Sequence, residues 1–168
     1  MAIQNAINQG IGAIGSAVAV AQHISEQKKA NELAEISQAE ASYSQAKGLI
    51  KESEEIADTS RKLEDSIQAT QDELNDSDNW SGPFRDEKSG KFITKDKYQL
   101  AKETALKEMQ NQQKAIESQK YDLNARMDLY NKRVEVLKLD KKGIAPNINK
   151  LATPEQLNKI NYIRGGNK

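Results

Sequence analysis

The chain has 168 residues, with 25 basic and 25 acidic side chains, one histidine and no cysteine. Hydrophobic residues make up 36% and aromatics 5%, which excludes a thick globular core and favours helices that each bury a narrow stripe. The lack of cysteine leaves no disulfide framework, thiolate metal site or cysteine nucleophile.

Zero net charge hides an asymmetry. Residues 26–78 carry 14 acidic and 6 basic groups, a net of −8, and residues 79–168 carry 11 and 19, a net of +8. Two complementary halves favour pairing within the chain or head-to-tail assembly over binding to a polyanion.

Residues 1–25 hold no formally charged side chain. Ile3, Ile7, Ile11, Ile14, Val18, Ala21 and Ile24 fall at spacings of three and four, the period of a helical stripe. Gly12 with Ser16, and Gly15 with Ala19, form small-xxx-small pairs that let helix backbones approach closely. Ile7, Ile11, Ile14 and Val18 would then face lipid or a neighbouring protein. The most apolar run, residues 11–21, is shorter than the roughly 20 residues of a membrane span. Ala19-Val20-Ala21 has the form of a signal-peptidase site, but no Lys or Arg lies near Met1. This reads as an assembly segment, with membrane contact optional.

Residues 26–75 contain no proline, and an apolar stripe from Leu33 and Ile36 to Ile67 and Leu74 predicts a long helix with a thin seam. Residues 76–93 break the pattern with Asn, Asp, Ser, Gly and Pro, and hold Trp80, Phe84 and Phe92, the only Trp and Phe residues of the chain. A turn at Lys88–Lys91 would bring Phe84 near Phe92 as a docking knob or as caps on two helix ends.

Thr94 is placed to cap a second long helix within residues 94–140. Met109, Ile116, Leu123, Tyr130 and Leu137 recur every seven residues as its seam, with Leu106, Gln113, Lys120, Met127 and Val134 as half-polar companions. Two long segments of similar length predict an antiparallel hairpin turned by the aromatic loop. In the basic tail, residues 141–168, Lys141-Lys142-Gly143 stops the helix and Thr153-Pro154-Glu155-Gln156 starts a short one. The fold class is therefore all-α: an elongated antiparallel helical hairpin or coiled coil, with an apolar N-terminal helix and a short C-terminal helix.

Chemistry finds little purchase. His23 has no second His or Cys to share a metal, and Glu52, Glu54, Glu55 and Asp58 read as a solvated helix face. The glycines at 10, 12 and 15 precede no Gly-Lys-Ser/Thr, so they form no phosphate loop. The expectation is a protein with no catalytic residues, cofactor or metal. Seven basic against two acidic residues in 138–168 leave weak, nonspecific nucleic-acid contact as the one polyanion option.

Residues 6–46, an Ala- and Gly-rich apolar helix running into a helix rich in Gln, Ala and Ser, resemble the N-terminal region of small internal virion proteins of short-tailed bacteriophages. DNA pilot proteins of small single-stranded DNA phages share this layout. The resemblance covers about a quarter of the chain and is compositional. It implies a protein carried in the virion and ejected with the genome. It also implies assembly with itself and other virion proteins into a tube or pore across the host envelope. The alternative is a cytoplasmic coiled-coil scaffold or adaptor, such as a portal or tail connector component, with no membrane role.

Overall fold

In the computed structural model, residues 2–165 are described, with side chains from residue 22 onward. The fold is all-α and is organised around a long helical pair. Helix α1 (Ala2–Asn75) leads through a single 3-10 turn (Ser77–Asn79) to a two-stranded hairpin, β1 (Phe84–Arg85) and β2 (Phe92–Ile93). Helix α2 (Lys95–Val136) returns antiparallel, and two short helices follow, α3 (Ile148–Leu151) and α4 (Pro154–Ile163).

The predicted boundary at residue 25 is not a break. No proline interrupts residues 2–75, and α1 runs through as one helix of 74 residues, about 110 Å long. The two long helices are consequently unequal, since α2 has 42 residues. The contacts of α2 fix the register: Tyr98 lies against Glu73, Arg126 against Glu52 and Tyr130 against Ser42. Residues 22–41 of α1 extend past the last of these contacts.

Sequence explains where the pairing stops. The face of α1 that meets α2 carries small residues, Ser42, Ala46, Ser53, Ala57 and Ser60, into which α2 inserts Leu123, Met127, Tyr130 and Val134. Large side chains on one helix filling the space above small ones on the other give a dense seam. Followed toward the N-terminus, the same face turns to Glu35, Asn31 and Lys28, and the apolar surface ends.

Helix α2 begins at the predicted cap, where Thr94 Oγ1 accepts from the Lys97 amide. Its end differs from the prediction. The helix stops at Val136 because Lys138 takes a left-handed conformation (φ 52°), and Gly143 (φ 72°) turns the chain back. Leu137 is therefore 45% exposed, and Leu139, 3% exposed, takes the place in the core that the heptad gave to Leu137.

Helix α4 starts as predicted, with Thr153 accepting from the Gln156 amide and Gln156 accepting from the Thr153 amide in a full capping box, and Pro154 in the first turn. It runs parallel to α1, Gln156 meeting Glu54 and Tyr162 meeting Glu64, and buries Ile160 and Ile163. With Ala145 and Ile148 it turns the middle of the hairpin into a three-helix body.

Candidate assembly surfaces

Two regions have a built geometry, a polar centre in the three-helix body and an aromatic tip; the projecting part of α1 is an exposed helix surface.

The polar centre forms around Lys120, whose side chain is 9% exposed. Its ammonium donates to Glu117 at 2.8 Å, lies 3.9 Å from Glu64, and sits 4.6 Å from the centre of the Tyr162 ring. Arg61 covers the same ring at 4.7 Å. The Tyr162 hydroxyl donates to Glu64 at 2.6 Å and lies 3.0 Å from Ser60, which donates to the same carboxylate oxygen. Burial opposes the Lys120 charge, yet the Glu117 bond and the negative groups around it raise its pKa above the ordinary lysine value. Burial raises the Tyr162 hydroxyl as well, reinforced by its bond to Glu64. Each group here has its partner among the three helices, which makes this a fastener for α4. By sequence Lys120 is only a polar companion of the seam; its phase, seven residues from both Gln113 and Met127, is the signal for its burial.

At the aromatic tip, Trp80, Phe84 and Tyr98 pack edge-on and tilted with centroids 5.2–6.2 Å apart. The Tyr98 hydroxyl donates to Glu73 at 3.0 Å, and Lys102 bridges Glu73 (3.2 Å) and Glu87 (2.9 Å). The β-hairpin has the predicted turn, but it pairs Phe84 with Ile93 and Arg85 with Phe92. Strand neighbours point to opposite faces, so Phe92 leaves the aromatic group. It is 65% exposed, under the Arg85 guanidinium at 4.4 Å. The third member of the cluster is Tyr98, from the first turn of α2, outside the predicted loop of residues 76–93.

Of the predicted seam, Leu123 and Tyr130 are buried and Met109 and Ile116 half-buried. The companion positions supply the rest: Lys120, Met127 and Val134 are buried, and α2 meets α1 through both halves of the heptad. The side chains of Ile7, Ile11, Gly12, Ile14, Gly15, Ser16, Val18 and Ala19 lie outside the described residues.

In the basic tail, Lys150 pairs with Asp140, Lys159 with Asp58 and Arg164 with Asp128. Lys159–Asp58 joins the acidic and basic halves of the chain, as Arg126–Glu52 and Lys102–Glu73 do from α2, so their charge complementarity is used partly within the chain. Among the described residues no helix is long and apolar enough to cross a membrane, and no three His, Asp or Glu side chains converge as for a metal ion. No family model matches the chain, and no curated protein or solved structure is significantly similar to it.

Proposed function

We propose that the protein is a bacteriophage virion structural protein of the internal, ejection type, which assembles through its helices into a tube or ring that aids genome delivery. The observation that carries this reading is the mismatch of the two long helices. A compact body built by α2 and α4 holds only part of α1, and the rest projects with Leu33 67% and Ile36 56% exposed. Burying such surface on neighbouring copies lowers the free energy by about 25 cal/mol per Å² of apolar area. The small-residue face at Gly12, Gly15, Ser16 and Ala19 would bring N-terminal segments of several copies together. The phage assignment adds the sequence resemblance over residues 6–46. Self-association, contact with other virion proteins and contact with the host membrane are the partners it implies.

The test is the solution mass of the full chain beside a Gly12→Leu/Gly15→Leu variant, together with flotation on anionic liposomes. The expected result is a multi-copy particle that the variant loses, with wild-type protein floating with the vesicles. A single-chain mass at all concentrations overturns the reading. Assembly without flotation, in a gene neighbourhood of portal or tail proteins, converts it to a connector or scaffold of the same particle.

A further inference from the structure

The last two turns of α2 carry a face that the body leaves bare. Lys132, Arg133 and Val136 follow Leu129 at three, four and seven residues, which sets the four side by side on one face of the helix. That face is turned away from the buried Leu123, Met127, Tyr130 and Val134. Leu129 is 70% and Val136 66% exposed, and Leu137 at the helix cap adds a third aliphatic side chain at 45%. Lys138, Lys141 and Lys142 follow in the turn, all exposed.

Charge at this end is unbalanced. Among the described residues none of these five cations is in an ion pair. The acids nearby are engaged or set aside. Lys150 holds Asp140 and Arg164 holds Asp128, while Glu135 falls about 100° round the helix from Val136.

Exposed aliphatic side chains among unpaired cations suit an anionic bilayer. The cations meet lipid phosphates, and Leu129, Val136 and Leu137 enter the boundary between headgroups and acyl chains. A nucleic acid would use the cations alone. Its phosphate backbone gains nothing from aliphatic groups, and Tyr130, the sole ring in residues 129–142, is 4% exposed and cannot stack on a base. The fold leaves room for the contact. Helix α1 packs on the other side of α2, and α4 reaches α2 on a flank, through Asn124 and Asp128. With this face on a bilayer, α1 runs behind α2 and its charged residues 26–41 stay on the water side.

We infer that the outer face of α2 at residues 129–136, with the turn at 138–142, is a docking surface for an anionic lipid bilayer. The inference deepens the proposed delivery role, on whose host membrane it rests. It assigns a membrane contact to the folded body rather than to the uncharged residues 1–25.

The chain has no cysteine, so full-length Val136→Cys and Glu55→Cys each take a single polarity-sensitive dye. Glu55 lies exposed on α1, off the proposed face. On vesicles of phosphatidylglycerol and phosphatidylcholine in equal parts, the dye at 136 should shift to the blue and the dye at 55 should not. Phosphatidylcholine alone should shift neither. Each cation near an anionic surface strengthens binding roughly fivefold, so Lys132→Gln/Lys141→Gln/Lys142→Gln should weaken vesicle binding about a hundredfold. Lys62→Gln/Lys88→Gln/Lys91→Gln, the same change in charge elsewhere, should bind nearly as wild type, with helix content by circular dichroism unchanged in both.

A dye at 136 that anionic vesicles do not move, or equal binding by the two triple variants, overturns the inference. So does a shift on duplex DNA in place of vesicles, which would put a nucleic acid on this face. A shift that grows with protein concentration without lipid would put a second copy there and overturns it as well. Multi-copy particles with an unmoved dye at 136 defeat this inference and leave the assembly reading standing. A single-chain protein whose dye at 136 shifts on anionic vesicles sustains the inference and defeats the tube or ring.

Discussion

Tyr162 and Glu64 lie 98 residues apart in the chain, and the hydroxyl of the first donates to the carboxylate of the second at 2.6 Å. This bond sets the axial position of α4 on α1. Ile160 and Ile163, on either side of Tyr162, supply burial without direction, whereas a hydroxyl to a carboxylate has a defined distance and angle. Lys120 reaches the same carboxylate from α2, so one acidic side chain of α1 registers both of its neighbours.

Replacing Tyr162 by Phe removes that bond and leaves the apolar ring in place. Hydrogen bonds to charged groups contribute about 1.5–3 kcal/mol, and this ring is half-buried, so the expected loss is about 1–2 kcal/mol. Urea unfolding should show a lower midpoint with an unchanged slope. An unchanged midpoint would mean that water replaces the hydroxyl at no cost.

The same groups make the protein sensitive to alkali. Tyr98, Tyr130 and Tyr162 are each raised above the ordinary tyrosine value of 10.0, burial being the largest cause in every case. Lys102 and Lys120 are raised above 10.5, where acidic partners outweigh burial. All five hold their protons more tightly folded than unfolded. Their contribution is therefore complete below pH 10 and declines as pH climbs through the folded values. The urea midpoint should fall steadily above pH 10, and Tyr162→Phe should flatten that fall. Phenolate absorbance in native protein should appear at higher pH than in urea. A midpoint level to pH 11.5, about one unit past the ordinary lysine value, would contradict the shifts.

Thr153 tests how far α4 depends on its own start. Its capping box satisfies two amides at the head of a ten-residue helix with too few turns to be stable alone. Thr153→Ala should cost about 1 kcal/mol and raise amide exchange across residues 154–163 before that of α1 and α2. Uniform exchange would mean that α4 unfolds only with the whole body.

How much of this was legible in the sequence divides along local and non-local lines. Thr94, Thr153, Gly143 and the Lys88–Lys91 turn act through neighbours a few residues away, and each was readable from residue type and order. The heptad in α2 was readable in period but not in which half would be buried, because Lys120 is buried only by what α1 and α4 bring to it. Helix α1 runs past the predicted boundary for the opposite reason. A charged-to-uncharged change at residue 25 alters the surface of a helix without altering its backbone preference, so no break follows. Tyr98 carries no local signal, because its role depends on Trp80 and Phe84 folding back across the turn.

Phe84 and Phe92 make that division measurable. Phe84 packs against Trp80 and Tyr98 with centroids at 6.2 and 5.3 Å, while Phe92 is 65% exposed. Phe84→Ala should cost about 1–2 kcal/mol of local stability and shift Trp80 fluorescence to the red. Phe92→Ala should leave the fluorescence unchanged. Equal shifts from both would put Phe92 back in the aromatic group.

Leu137 and Leu139 give the sharpest contrast, since the heptad selects the first and the fold buries the second. A helix continued past Val136 would keep the seven-residue count from Leu123 and Tyr130 and turn Leu137 inward. The positive φ of Lys138 ends that count, and the Leu139 amide bonds back to the Val134 carbonyl at 2.9 Å, drawing the Leu139 side chain under the turn. There it joins Val134, Ala145 and Ile148 in the core. Leu139→Ala should cost about 2–4 kcal/mol through lost burial and the cavity it leaves. Leu137→Ala, at a half-exposed helix end, should stay within about 0.5 kcal/mol. Chemical denaturation of the two variants side by side decides the matter: the reverse order would mean that α2 runs on through residue 140 and that the turn at Lys138 does not form in solution.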